Sequence, residues 1–499
     1  MTTTTAAPNQ ARNPKVQAWL DARKPETLLI GGEWVAAESG KTFDTVNPTT
    51  EQVLASVSQA GPEDVEAAVT AARAAFESGP WSQMAPNERA RLLRNLAGLM
   101  EENVAELAEL ETLDNGMTIG TAQAFMQVAI ESIYYYAGAV QQVFGSTAPS
   151  APGNFNYILR QPLGVVGAII PWNAPVTAAS WKIGPALAAG NTMILKPAES
   201  TPLTAIRLGE LITEAGFPPG VFNLLTGFGP EVGQPMADHY GIDKLTFTGS
   251  VGTGRGILHA AANTNLKRVT LELGGKSPNI IFPDADMDAA VANSLAGFAT
   301  ISGQVCVAGT RLFVQRDVKD EVVEALTGAA ESLTVGDPLD PATTMGPLAN
   351  KAQFDRVQSY FEVGKGEGAV AKAGGETVDR PGYFVKPTVF DGVENSMRIA
   401  QEEIFGPVVS VIPFSDEYDA VLQGNDTTYG LAAAVWTRDI SRAHTVARQI
   451  QAGTVWINTY LQLDPTMPFG GFKESGLGRE FGPDWYQHFT EEKSVFVKL

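Results

Sequence analysis

Val165-Val166-Gly167-Ala168-Ile169-Ile170, Thr192-Met193-Ile194-Leu195, Val221-Phe222-Asn223-Leu224-Leu225, Lys244-Leu245-Thr246-Phe247-Thr248 and Val269-Thr270-Leu271-Glu272-Leu273 are five short runs rich in β-branched and apolar residues. Each has the length and composition of a buried strand. Between them lie Ala- and Leu-rich stretches with helical spacing. One of these, 204–215, follows Ser200-Thr201-Pro202, and cap residues with a proline at the first turn mark a helix start. Alternating strands and helices predict a parallel sheet covered on both faces, which takes ligands at the carboxyl ends of its strands.

A second alternating region follows from Ser277, with strands expected at 279–282, 312–315, 408–412, 431–436 and 454–457 and a helix at 318–333. Leu273-Gly274-Gly275 joins the two regions, and its glycines allow a sharp turn with close backbone approach. Upstream, 62–76 and 88–117 carry helical periodicity. Two strand-like pieces, 155–162 and 494–499, have no partner nearby in sequence and must pair with each other or with another subunit. At 499 residues the chain exceeds what one core serves, so two or three domains are expected.

The formal net charge of −20 disfavours nucleic acid and anionic membranes as partners, because both demand a basic surface. An anionic ligand must therefore meet local positive potential. One cysteine and four histidines leave no Cys-rich metal site and no internal disulfide, which fits a reducing, cytoplasmic location without a resident metal. The first dozen residues lack the apolar core of a secretory leader and read as a loose tail. No run approaches the roughly 20 apolar residues of a spanning helix.

A lone cysteine is in general a small buried residue. The setting of Cys306, Gly303-Gln304-Val305-Cys306-Val307-Ala308-Gly309, instead lets the backbone N–H come close to a ligand. A thiolate adds to a carbonyl, and the alkoxide it forms needs hydrogen-bond donors. Asn173, directly after Pro171-Trp172 at a strand end, is a candidate donor, although a turn or cap asparagine has the same signature. Glu272 ends an apolar strand, where a carboxylate needs a partner or a task, and it could activate water as a general base. Gly227-Phe228-Gly229-Pro230-Glu231-Val232-Gly233 has the glycines of a dinucleotide fingerprint at the wrong last spacing. Phe247-Thr248-Gly249-Ser250-Val251-Gly252 ends a strand and opens a helix whose free N–H groups suit a pyrophosphate. Lys196 and Glu199 suit ribose hydroxyls, and Glu199 would repel a 2′-phosphate, favouring NAD over NADP.

Taken in order, seven segments resemble the aldehyde dehydrogenase superfamily over nearly the whole chain. They are Pro171-Trp172-Asn173, Lys196-Pro197-Ala198-Glu199, Phe247-Thr248-Gly249-Ser250, Leu271-Glu272-Leu273-Gly274-Gly275-Lys276, 303–309, Glu402-Glu403-Ile404-Phe405-Gly406-Pro407 and Pro468-Phe469-Gly470-Gly471. The resemblance implies an α/β fold with a Rossmann-type NAD-binding domain (13–143 and 162–274), an α/β catalytic domain (275–475) and a small β oligomerisation arm (144–161 and 490–499), assembled as a dimer or tetramer. It implies that Cys306 is the nucleophile of a thioester route, Glu272 the base that hydrolyses the thioester, Asn173 the oxyanion donor, and Lys182 with Glu480 a proton relay. Cofactor contacts are implied at Ile169, Pro171, Trp172, Lys196, Ala198, Glu199, Gly229, Gly233, Phe247, Gly249, Ser250, Leu273, Gly274, Glu403 and Phe405.

In this family the residue after Asn173 is commonly large, whereas here it is Ala174. With Val128, Trp181, Val305, Val307 and Phe469 as further walls, the resemblance implies an apolar tunnel for an uncharged aliphatic or aromatic aldehyde. The rival readings are a semialdehyde-specific or coenzyme A-acylating relative, and a non-catalytic relative that keeps the fold. Glu272 weighs against the acylating type, and the presence of Cys306, Glu272 and Asn173 together weighs against the last.

Overall fold

The structure, a computed structural model, describes residues 11–499. Its largest sheet has eight strands, and all five strands expected between 164 and 274 belong to it. They run parallel in the order Arg268–Glu272, Lys244–Thr248, Val165–Ile169, Thr192–Lys196, Phe222–Leu224. Antiparallel strands close both sides, Gly476–Leu477 at one edge and Leu28–Ile30 with Glu33–Val35 at the other. The chain enters at Val165–Ile169, builds outward on one side, then returns to build the other. The switch point therefore falls between Val165–Ile169 and Lys244–Thr248, and the loops leaving their carboxyl ends, 170–174 and 249–250, part to open a crevice.

The second sheet has seven strands. Thr388–Asp391, Val408–Phe414, Arg311–Gln315, Pro278–Ile281, Ala432–Trp436 and Thr454–Ile457 are parallel, and Val370–Ala373 is an antiparallel edge. Thr388–Asp391 and Val370–Ala373 are strands beyond the five expected. The loop that carries Cys306 enters the amino end of Arg311–Gln315.

The helical periodicity at 88–117 resolves into two helices, Pro86–Glu102 and Val104–Asn115, separated at Asn103, whose side-chain amide donates to the Leu99 carbonyl at 2.8 Å and competes with the backbone ladder. Periodicity spans a one-residue break without registering it. The helix after Ser200-Thr201-Pro202 is Leu203–Glu214, yet no side chain of that triplet caps it. Asp114, distant in sequence, accepts from the Leu203 N–H at 2.8 Å instead.

The two strand-like pieces without a local partner pair with each other. Asn154–Pro162 is antiparallel to Thr490–Lys498 in unbroken register from Thr490↔Pro162 to Lys498↔Asn154, with Ser146–Ala148 on its other side. The terminal strand thus begins four residues before the expected 494. Thr490–Lys498 is an edge of this three-stranded sheet, and Phe496 on it is 80% exposed. Of the tail expected at 1–12, residues 1–10 lie outside the described residues, while Arg12 is held by Asp337 at 3.1 Å. Among the described residues no helix is long and apolar enough to cross a membrane.

Candidate active site

Two cavities meet at Cys306. The outer one, about 460 Å³, is a cleft at the switch point lined by Pro171, Trp172, Gly249, Ser250, Leu273, Gly274, Glu403 and Phe405 among others. The inner one, about 210 Å³, is a tunnel whose walls include Val128, Ala174, Trp181, Val305, Val307 and Phe469. Cys306, Asn173 and Glu272 line both. Residues from two strand ends of the first sheet and from the loop that precedes Arg311–Gln315 of the second thus converge where the cavities join.

The loop before Cys306 is bent by three consecutive residues in the left-handed region, Ile301, Ser302 and Gly303 (φ 48°, 54° and 73°). The Ser302 hydroxyl holds the bend by donating to the Gly346 carbonyl at 2.8 Å. Gln304, fully buried, donates to the Ile301 carbonyl at 2.9 Å, accepts from the Ala349 N–H at 3.0 Å, and offers its own carbonyl to the Asn173 amide at 2.8 Å. That contact ties the Asn173 side chain to the cysteine loop and leaves the second amide hydrogen free for a ligand. Burial pushes the Cys306 thiol up to about 12, with the negative charges of Glu272 and Glu403 adding to it and the N–H groups of Val307 and Cys306 opposing.

Glu272 ends Arg268–Glu272 and is buried. One carboxylate oxygen has no hydrogen-bond partner among the described residues. Burial, then the charge of Glu480, hold its pKa well above the usual carboxylate range. Glu480 faces the tunnel and forms an ion pair with Lys182, on the helix Pro175–Ala188 behind it. Lys182 is fully buried and does not line either cavity.

In the cleft, Ser250 caps Val251–Asn263 by accepting from the Thr253 N–H, so the free N–H groups of that helix face the opening. A Cβ on Gly252 would meet nothing there, whereas one on Gly249 would run into the Phe247 ring, which packs beneath it rather than lining the cleft. The Glu403 carboxylate accepts from the Gly275 N–H at 3.0 Å, and its pKa is raised to about 7, chiefly by burial. Phe405 stands at φ 60° with its ring edge-on to Trp172, centroids 5.3 Å apart. Lys196, Glu199, Ile169, Ala198, Gly229 and Gly233 are not among the cleft-lining residues. Within that group Lys196 is buried with its Nζ 3.7 Å from Glu199, and Gly233 lies against Lys196 and Ile169. Gly229–Gly233 is one wide helical turn rather than a fingerprint loop.

Sequence reasoning missed Thr248, which lines both cavities, and Gln353, Arg356 and Tyr429, which line the cleft. Thr248 was readable as the last strand residue before Gly249. The other three come from the helix Lys351–Gly366 and a distant loop, and nothing local marks them. Arg356 is the one cationic side chain among the cleft-lining residues, and with the helix N-terminus it supplies the positive potential that the −20 surface lacks. In the tunnel Phe125, Thr177, Ala178, Thr300, Ile301, Leu461 and Leu463 were missed as well.

Residues 34–495 match the model of the aldehyde dehydrogenase family. The chain belongs to the aldehyde dehydrogenase family. It is 50% identical to DhaS of Bacillus subtilis (strain 168) over 473 residues, 95% of each chain, and 48% identical to the human mitochondrial aldehyde dehydrogenase over 95% of this chain and 92% of that one. The structure of an aldehyde dehydrogenase from Bacillus cereus in complex with NAD+ superposes with a TM-score of 0.96 at 49% identity, covering 98% of this chain and 100% of that one. The fold is therefore that of the aldehyde dehydrogenases, and the enzyme is an oxidoreductase acting on the aldehyde group.

Proposed function

We propose that this aldehyde dehydrogenase converts an uncharged aliphatic or aromatic aldehyde to its carboxylic acid with NAD+, through a thiohemiacetal and then a thioester on Cys306 that Glu272 helps water to hydrolyse. The observation that carries the reading is the convergence of Cys306, Asn173 and Glu272 where an apolar tunnel meets a polar cleft.

The cleft fits a dinucleotide. Gly249 and Ser250 at the helix N-terminus, with Trp172, suit a pyrophosphate, and Leu273, Gly274, Glu403 and Phe405 suit the ring and ribose beside the cysteine. Lys196 and Glu199, with Ile169, Ala198, Gly229 and Gly233, suit the adenosine end, where Glu199 disfavours NADP, and Phe247 supports the backbone at Gly249 from beneath. When bound, NAD+ supplies the acceptor for the hydride leaving the tetrahedral carbon.

Burial raises the thiol pKa, so sulfur attacks the carbonyl carbon as its S–H bond breaks and the proton passes to solvent water at the mouth of the open cleft. The free hydrogen of the Asn173 amide and the Cys306 N–H receive the alkoxide oxygen, an interaction that strengthens as charge develops. Glu272, a stronger base for its raised pKa, then takes a proton from water as that water adds to the thioester. Sulfur leaves with the pair of electrons from the broken bond, the acid departs, and Glu480 with Lys182 carries the proton onward. The tunnel walls bear no Lys or Arg among the described residues, which favours neutral substrates over carboxylate-bearing semialdehydes.

Chain division at 13–143 with 162–274, 275–475 and 144–161 with 490–499 belongs to the same proposal, as do a cytoplasmic location and a dimer or tetramer. The bare edge of Thr490–Lys498 supports the last. Glu272→Gln tests the mechanism: a burst of about one NADH per site followed by slow turnover is expected, and steady turnover at the unaltered rate would overturn the base assignment. A panel of neutral aldehydes and semialdehydes, each with NAD+ and NADP+, tests the substrate class; a semialdehyde turned over fastest would overturn it.

A further inference from the structure

We infer that Asn115 is the positioning residue for Asn173, setting the backbone from which that amide reaches the reacting oxygen. The inference rests on Asn173 acting as the oxyanion donor. Asn115 is the last residue of Val104–Asn115, is fully buried, and lies outside both cavities. Its side-chain amide donates to the carbonyl of Trp172 at 2.6 Å and to that of Asn173 at 3.2 Å, while its oxygen accepts from the Met117 N–H at 3.1 Å. One side chain therefore grips two successive peptide units of the segment that presents Asn173.

The rest of that helix end acts on the same segment and on the opposite wall. Glu111, one turn earlier on the same face, accepts from the Val176 N–H at 3.3 Å in the first turn of Pro175–Ala188. Gly116 follows in the left-handed conformation (φ 88°), and its carbonyl leaves no room for a Cβ on Gly346. The Gly346 carbonyl is the group to which Ser302, four residues before Cys306, donates. Asn173 and the cysteine loop are thus referenced to one turn of chain, 115–116, in addition to their direct contact through Gln304. Loss of the Asn115 amide leaves the buried Asn173 carbonyl and the half-buried Trp172 carbonyl without this donor, and the 172–173 peptides shift to find others.

A double-mutant comparison on the full-length enzyme tests this. With a neutral aldehyde and NAD+, Asn115→Ala is expected to lower kcat roughly ten- to a hundredfold with the aldehyde KM within about twofold, because a displacement of about 1 Å costs transition-state contacts before ground-state binding. In an Asn173→Ala background the same substitution is expected to change kcat by less than about twofold, since the group it positions is gone. Losses that multiply would show that Asn115 acts elsewhere and overturn the inference. Unaltered kcat in Asn115→Ala beside an impaired Asn173→Ala would overturn it too, while leaving the oxyanion assignment standing. An unimpaired Asn173→Ala would instead overturn the oxyanion assignment and this inference with it. A cooperative thermal transition and an unaltered far-UV circular dichroism spectrum establish that each variant is folded; Asn115→Ser provides the same comparison where the alanine variant does not fold.

Discussion

Gly303→Ala offers the sharpest physical test of how Cys306, the proposed nucleophile, is held. Gly303 has φ +73°, and a Cβ built on it would lie 2.5 Å from the Pro407 nitrogen and closer still to the Gly406 carbonyl, all backbone atoms that no rotamer change can move. Ordinary contact begins near 3.4 Å, so the cysteine loop and the loop carrying Glu403 and Phe405 must part by about 1 Å. The left-handed conformation costs alanine about 1–2 kcal/mol and the overpacking about 1–3 kcal/mol more, so a loss of about 2–5 kcal/mol in stability is expected. Separation of Cys306 from the cleft by about 1 Å should lower kcat by on the order of a hundredfold. Urea denaturation followed by tryptophan fluorescence, with NADH formation at saturating substrates, reads both effects. Gly256→Ala is the control: exposed in the helix Val251–Asn263 with nothing near its Cβ, it should gain about 0.5–1 kcal/mol and leave turnover unchanged. A Gly303→Ala protein with unshifted denaturation and undiminished turnover would refute the packing argument.

Two further outcomes follow from the charges. Burial and the charge of Glu480 raise the Glu272 pKa, so the acid limb of kcat, where the base is lost as pH falls, should lie well above the usual carboxylate range; Glu480→Gln removes that charge and should move the limb to lower pH, and a limb that stays or rises counts against the coupling. Gly274→Ala would press its methyl group into the Glu403 carboxylate, so the KM for NAD+ should rise severalfold with the aldehyde KM little altered, and the reverse pattern in initial-rate kinetics would separate Glu403 from cofactor binding.

Local pattern carried much of this molecule. The run at 165–170 is a buried strand because continuous apolar residues have no other low-energy place in a covered parallel sheet, and the alternation of such runs with helices is enough to locate a crevice at the carboxyl ends of the strands. Cys306, Asn173 and Glu272 stood out as candidates for a related reason: each interrupts a local rule, as a thiol among glycines, an asparagine at a strand end and a carboxylate in an apolar run. Position within the fold decided the rest. Asn115 reads as an ordinary helix-end asparagine, Asp114 as a surface carboxylate and Arg356 as one exposed charge on an amphipathic helix, until chain reversal sets them against 172–173, Leu203 and the cleft. Hydrogen bonds between residues tens to hundreds apart depend on how helices stack across the two sheets, and propensity within a window of a dozen residues has no term for that distance.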